Sequence, residues 1–402
     1  MACIASALKA LCLSLLFVAI ASRPTNKPEV FNVLRFGAKP DGKTDSINVF
    51  TNIWKSACAS KGGSSKIYVP KGTFYLGGAV EFVGPCTNQI EFVIDGTLLA
   101  PSNPGDIEKG TWINFMYINN LLISGAGTLD GQGKESWPLN DCRKNPNCKL
   151  AKTMGFSFVN NSRINGITSL NSKMGHFDFF AVHHFNITGV TIKAPGDSPN
   201  TDGLKFGSCS NIHISDTHIG TGDDCIAILS GVTDMDISNV KCGPGHGISV
   251  GSLGKGKDEK DVNGLTVRDT VFNGTSDGIR IKTWESSASQ IVVSNFVYEN
   301  IHMINVGNPI NIDQKYCPYP PCEKKGESHV QIQDLKLKNI YGTSKNKVAV
   351  KLKCSKSFPC KNVELVDIDL EGVKDGPSTA VCENVHGSAH GKMVPQQCLN
   401  GP

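Results

Sequence analysis

No apolar run in this 402-residue chain is long enough to cross a bilayer. The run near its start, Leu11 to Ile20, spans about ten residues where a membrane helix needs roughly 20. A membrane anchor is therefore excluded for the mature form. There is little charge of either sign in excess: 40 Lys and Arg face 36 Asp and Glu, a net charge of +4. No dense stripe of Lys and Arg interleaved with aromatics occurs, which argues against nucleic acid as a partner. A basic cleft on such a near-neutral chain still suits a polyanionic substrate. No CxxC pair or Cys–His cluster has the spacing of zinc ligands. No Leu-x-x-Leu-x-Leu frame is present, so a leucine-rich repeat is excluded. No linker divides the chain, and residues 22–402 are expected to form one continuous domain.

What is present begins with an export signal. Lys9 supplies a positive start, Leu11 to Ile20 the apolar stretch, and Ala19-Ile20-Ala21 the small residues of a cleavage site. Residues 1–21 therefore read as a secretory signal peptide. Of 15 cysteines, Cys3 and Cys12 leave with it. The odd remainder suits an oxidising compartment and leaves at least one thiol unpaired within the chain. Cys142/Cys148, Cys317/Cys322 and Cys354/Cys360 have the spacing of loop staples, and Cys225/Cys242 and Cys382/Cys398 of longer clips. The sequence alone does not decide the pairing. Asn160, Asn186 and Asn273 each begin an N-x-S/T sequon and are candidate glycosylation sites in an exported chain.

The dominant pattern is repetition. Short β-branched runs recur, each led by Asn, Asp or another polar residue, as in Asn186-Ile187-Thr188, Asn211-Ile212-His213-Ile214 and Asp234-Met235-Asp236-Ile237. From Ile164 through Ile187, Ile212, Met235, Leu265 and Ile291 the spacing stays in the twenties to thirty. Each run alternates apolar and polar residues as half-buried strands do. Propeller blades have a longer period. The expected fold is all-β, a single-stranded right-handed parallel β-helix in which coils stack on one another. Asn32 to Trp54 differs: an acidic turn leads into a segment of helical spacing. It is expected to cap the open end of the solenoid, whose strand edges would otherwise be exposed.

Four polar clusters fall within the repeats: Asn200-Thr201-Asp202-Gly203, Gly222-Asp223-Asp224-Cys225, Gly245-His246-Gly247 and Arg280-Ile281-Lys282. Each alone is ordinary turn or strand chemistry. Their spacing is not ordinary. Asp202 to Asp224 and Asp224 to His246 are equal steps of about one coil, so these residues should stack on one outer face. Arg280 lies one coil plus an insertion further on, placed at the Gly251-to-Asp261 loop. Three carboxylates in register raise one another's proton affinity, and a protonated carboxyl is what acid catalysis uses. Two carboxyl groups in different protonation states can cleave a glycosidic bond. Arg280 and Lys282 would grip an acidic sugar. His246 is placed to tune or hold a neighbouring acid.

These four motifs, in this order, resemble glycoside hydrolase family 28, the polygalacturonases. Ala194-Pro195-Gly196-Asp197-Ser198-Pro199, Gly243-Pro244-Gly245-His246 and Lys315-Tyr316-Cys317-Pro318 are similar to the plant pollen exopolygalacturonases within it. The resemblance implies inverting hydrolysis of α-1,4 bonds in polygalacturonic acid (pectin), no cofactor and no metal. It implies Asp223 as general acid, Asp202 and Asp224 as water activators, and His246 as support for the acid. Arg280 and Lys282 would bind the galacturonate carboxylate, with Tyr316 a further sugar contact. Lys282→Ala is then expected to raise KM more than it disturbs the fold. The protein is expected to be a secreted, cell-wall monomer. Endo action, a rhamnogalacturonan hydrolase, a calcium-dependent pectate lyase and a non-catalytic pectin-binding homologue are the competing readings.

Overall fold

The computed structural model describes residues 28–142, 144–145, 148, 150–318, 320, 322, 326–373 and 376–399. The expected signal peptide lies outside them. The chain winds as a parallel β-helix. One sheet of eleven strands contains Val80–Val83, Thr111–Met116, Lys152–Ser157, Phe177–Phe180, Leu204–Gly207, Ile226–Ile228, Ile248–Leu253, Asp277–Trp284, Asn308–Tyr316, Val348–Lys353 and Thr379–Glu383. Each of the nine inner strands pairs in parallel with the strand one coil before and one coil after it, and the two end strands with one neighbour.

Alternation decides which side chains face inward. Phe82, Phe115, Phe156, Phe179, Phe206, Ile228, Val250, Ile281, Ile312 and Leu352 form one unbroken row of register partners. All ten are buried. From Phe115 to Phe206 the rings of this row lie nearly parallel, 4.8 Å apart between Phe156 and Phe179 and 4.6 Å between Phe179 and Phe206. That is the strand spacing of about 4.8 Å, so stacked coils bring like side chains into contact without further adjustment.

The polar residues between runs also have a structural cause. Many Asn and Asp residues there adopt a left-handed backbone, among them Asn211, Asp234, Asn300 and Asn339, a conformation that short amide and carboxylate side chains tolerate. Some hydrogen-bond from coil to coil: Asn339 Nδ2 donates to Asn300 Oδ1 at 2.9 Å, and Asn300 Nδ2 to Asp269 Oδ1 at 3.1 Å.

The spacing of the runs needs one correction. Ile187 stacks on Ile214, two residues beyond Ile212, and Leu265 stacks on Phe296 rather than Ile291. Period-two alternation makes Ile212 and Ile214 indistinguishable in sequence, whereas Ile291 lies five residues before Phe296 at the start of the long strand Ile291–Val306, and only the register places either pair.

The capping helix spans Ile47–Ala59 and buries Phe50, Ile53, Trp54 and Ala57, the i, i+3, i+4, i+7 face. Asp45 Oδ1 accepts from the Ile47 N–H at 3.0 Å, which makes it the acidic cap. Trp54 packs on Phe82 at 4.9 Å between ring centroids, and its Nε1 donates to the Val83 carbonyl. Cys58–Cys86 ties the helix end to the first coils. The other disulfides join Cys142–Cys148, Cys225–Cys242, Cys317–Cys322, Cys354–Cys360 and Cys382–Cys398, and Cys209 is a buried free thiol.

His176 is fully buried, with Nδ1 2.8 Å from Ser169 Oγ and Nε2 without a partner among the described residues. Burial lowers its pKa to about 3. The unfolded chain, with a histidine near 6.5, then binds the proton more tightly than the folded one. The stability this group contributes is complete above about pH 6.5 and is lost as pH falls toward 3. His176→Phe should flatten the fall in urea-unfolding stability between about pH 6 and pH 4. An unchanged slope would remove His176 as its source.

Candidate active site

The site lies on the outer face of the eleven-stranded sheet. Leu204 pairs with Ile226 and Ile226 with Ile248, so Asp202, Asp224 and His246 occupy equivalent places on three successive coils. The Gly203 N–H donates to the Asp224 carbonyl at 2.9 Å, and the His246 N–H to the Asp223 carbonyl at 2.9 Å. The Cys225–Cys242 disulfide begins at the residue after Asp224 and anchors the turn that carries both acids. Two glycines are required by close backbone approach. A Cβ on Gly222 would lie 2.0 Å from the Ser198 carbonyl oxygen. One on Gly247, whose φ is +81°, would lie 2.3 Å from the Asp277 oxygen.

Each acid has its own partners. Asp223 Oδ1 lies 3.0 Å from His246 Nδ1 and accepts from the Asp224 N–H at 2.8 Å. Asn200 Nδ2 is 3.4 Å from its other oxygen. Asp224 is 3 % exposed and has both oxygens engaged: Ser249 Oγ donates to Oδ1 at 2.6 Å, and Lys282 Nζ to Oδ2 at 2.8 Å. Asp202 accepts from Lys205 Nζ on Oδ2 at 2.8 Å, and among the described residues this is the hydrogen bond its carboxylate makes, leaving Oδ1 unengaged.

Arg280 Nη1 stands 3.7 Å from Asp224 and 3.8 Å from Asp277, beyond hydrogen-bond distance of either. The Tyr316 ring lies 5.7 Å from both the Arg280 guanidinium and the Lys282 ammonium. Tyr316 therefore belongs to the same basic cluster.

Burial divides the proton affinities. Desolvation raises Asp202 to about 6, aided by the charges of Asp223 and Asp224 and opposed by Lys205. Desolvation also pushes Asp223 upward, yet the His246 hydrogen bond and charge outweigh it and hold Asp223 low. Its hydrogen bond to Asp223 raises His246 in turn. Without substrate, then, the proton of the Asp223–His246 pair rests on the imidazole. The raised carboxyl of the cluster is Asp202, where the sequence motif pointed to Asp223 as the acid.

All seven predicted catalytic and sugar-contact residues lie on this face. Arg280 is in register with Ser249 rather than His246, because the coil between them is 31 residues long and Arg280 sits further along its strand. Ile248 pairs with Ile279, which is 279 − 248 = 31. The same step from His246 leads to Asp277, which sequence reading missed. Asp277 is buried, and Asn311 Nδ2 and Ser276 Oγ donate to it at 2.7 and 2.9 Å. Lys205 and Ser249 were also missed. For Lys205 a signal existed: it lies three residues after Asp202 on an alternating strand, at an outward position. Of the sequon residues, Asn186 and Asn273 are exposed and Asn160 is half-buried, with Oδ1 accepting from the His183 N–H.

Asp223, Asp224 and His246 offer ligand atoms within 4.8 Å of one another. The donor set fits a cation poorly, because an incoming ion would compete with the Lys282 ammonium and the Ser249 hydroxyl for Asp224. A second group, Glu285 with Cys317 and Cys322, offers no thiolate, since the two sulfurs are joined.

A cluster of carboxylates beside basic side chains on a parallel solenoid is an arrangement able to cleave a glycosidic bond, and similarity to known proteins shows the class to be that of the glycoside hydrolases. The chain belongs to glycosyl hydrolases family 28, whose sequence profile matches residues 58–394. It is 42 % identical to an exopolygalacturonase of Platanus acerifolia, over 91 % of this chain and 97 % of that one. It is 43 % identical to a polygalacturonase of Medicago sativa, over 92 % and 88 % respectively. The endo-xylogalacturonan hydrolase of Aspergillus tubingensis shares the fold, with a TM-score of 0.77 at 20 % identity over 90 % of this chain and all of that one.

Proposed function

We propose that the protein hydrolyses α-1,4 bonds between galacturonic acid units of pectin, with inversion, and that it removes single units from a chain end. The observation that carries this reading is the Asp223–His246 pair, set between the free oxygen of Asp202 and the basic cluster of Arg280, Lys282 and Tyr316. Asp223 delivers a proton to the leaving glycosidic oxygen. A water attacks the anomeric carbon and loses its proton to a carboxylate. Asp202 suits that last role because Oδ1 is uncommitted, whereas both oxygens of Asp224 are bonded. The resting proton on His246 is one hydrogen bond from Asp223. A bound galacturonate brings negative charge and excludes water, and both raise the affinity of Asp223 for that proton. The pair titrates as a unit, so the acid is the pair and not one member of it.

Arg280, long in both its contacts, is free to take a sugar carboxylate with two parallel hydrogen bonds. That favours a uronic acid over rhamnose at this end. The commitment of Asp224 to an ammonium favours hydrolysis over calcium-dependent elimination, and no metal enters any step. Residues 22–402 form the catalytic unit, exported after removal of 1–21 and acting as a monomer in the cell wall. Asn160, Asn186 and Asn273 would carry glycans. Among the described residues no helix is long and apolar enough to cross a membrane.

Support for exo action comes from the segment Trp137 to Asn140. Asn140 Nδ2 donates to Asn200 Oδ1 at 3.1 Å and lies 3.4 Å from the Pro199 carbonyl. Asn200 in turn reaches Asp223. Trp137 Nε1 donates to the Ser172 carbonyl at 3.0 Å and holds the segment down. This segment is held against Asn200, the neighbour of the acid, and so borders one side of the site where a through-running chain would pass. Early products from long polygalacturonate should be galacturonate alone by anion-exchange chromatography. A ladder of oligomers would establish endo action, and no reducing ends at all would leave a pectin-binding homologue.

A further inference from the structure

We infer that Lys205 is a positioning residue for the water-activating step: it keeps Asp202 ionised and turns the free Oδ1 of that carboxylate toward the sugar. This rests on the reading of Asp202 as the group that takes the water's proton.

The need for such a residue follows from the site. Asp202 is 8 % exposed and shares its surroundings with two more carboxylates. Burial and like charge both favour the protonated form, and a protonated Asp202 cannot accept the proton of the attacking water. A counter-charge must offset both, and it must not occupy the oxygen that works. Lys205 meets both conditions. It lies three residues on, at the second position of the strand Leu204–Gly207, and its Nζ is 2.8 Å from Oδ2 only.

Among the described residues, the groups facing Asp202 leave Lys205 as its one bonded cation. From the following coil come the carboxylates Asp223 and Asp224. The cations nearest to these, His246, Lys282 and Arg280, are directed to Asp223 and Asp224 rather than Asp202. From the preceding coil come Asp178 and the neutral His176, and from the coil before that Lys152. Lys152 is paired with Asp178, and the His176 N–H donates to the Asp202 carbonyl at 2.7 Å. Lys205 is itself flanked in register by Asp178 and by Ala227. The alanine offers no polar side chain to draw the ammonium away from Asp202. In keeping with this, the Asp202 charge raises the pKa of Lys205, so the ammonium persists across the working pH range.

Asp224, one coil on, also has a lysine partner, but that lysine comes from two coils further along and the result differs. Lys282 neutralises Asp224, but Ser249 takes the other oxygen. The two lysine–carboxylate pairs thus divide: one holds an open base, the other a closed anchor. A lysine gripping substrate would give a different outcome, a rise in KM with no change in pH dependence.

The test is the pH–rate profile of the secreted protein on a short oligogalacturonide, comparing wild type with Lys205→Met, Lys205→Gln and Lys205→Arg. The acid limb of kcat should move up by about one pH unit or more in the Met and Gln variants. At a pH below the wild-type limb, kcat should fall about tenfold or more and recover at higher pH. KM should stay within about twofold, and Lys205→Arg should return the limb toward wild type. Two uncharged variants are used so that a folding failure of one, seen by circular dichroism, leaves the other. An unmoved limb, or a rise in KM alone, overturns the inference. The underlying assignment is tested apart: Asp202→Asn retaining more than about 1 % of kcat would remove Asp202 as the base, whatever Lys205 does.

Discussion

Asp223→Asn should lower kcat by about 10²–10⁴-fold, the usual worth of a positioned general acid, while the far-ultraviolet circular dichroism stays that of the wild type. The fold should survive because the substitution removes no packing. Asp223 sits outside the apolar rows, and its backbone carbonyl, which accepts from the His246 N–H, is unaffected. What is lost is the carboxylate's charge and its capacity to take the proton from His246 Nδ1 and deliver it to the leaving group. The change should also release His246 from its raised pKa, because the hydrogen bond to Asp223 is its largest cause. A histidine titration by NMR should therefore show a downward shift in the same variant. Reducing-end release at wild-type rate would sink the assignment of the acid.

The second large effect is expected at Lys282. The sequence placed it on the substrate, with loss appearing mainly in KM. The structure places its ammonium 2.8 Å from Asp224 Oδ2, with Lys282 8 % exposed and Asp224 3 %. Lys282→Ala leaves a buried carboxylate without its ion pair, a change that costs about 3–5 kcal/mol where no other group compensates. Arg280 Nη1, 3.7 Å from Asp224 Oδ1, can move to offset part of it. The expected result is a thermal midpoint lowered by several degrees together with a kcat reduced about tenfold or more. Arg280→Ala should behave differently, raising KM with the smaller effect on stability, because its two contacts are long. Equal thermal midpoints for Lys282→Ala and wild type would show that the ammonium is not part of the site's support.

The comparison of these two residues shows what a linear reading can and cannot reach. Arg280-Ile281-Lys282 alternates, so both charges were known to face outward together. Which of them is spent on a neighbouring carboxylate depends on strand register, and a shift of two positions looks the same in sequence. The same ambiguity put Ile212 in the place of Ile214 opposite Ile187. Asp277 escaped notice for a related reason: its place beside His246 follows only once the intervening coil is known to be 31 residues long. The equal steps from Asp202 to Asp224 to His246 carried no such insertion and were legible directly. The protonation order was not legible. Three carboxylates in register predict that one is raised, and desolvation and the placement of Lys205 and His246 decide that it is Asp202.

The periodic apolar runs, the Asn and Asp turns, the odd cysteine count and the spacing of the acids were enough to specify a stacked parallel coil with an acid cluster on one face. They are local properties, since alternation and turn chemistry act over a few residues and repeat. The tertiary structure alone decided which carboxylate oxygen is free, which lysine is committed and where the proton rests. Those outcomes depend on distances of a few ångströms between residues 20 or more positions apart, and on how far each has been removed from water.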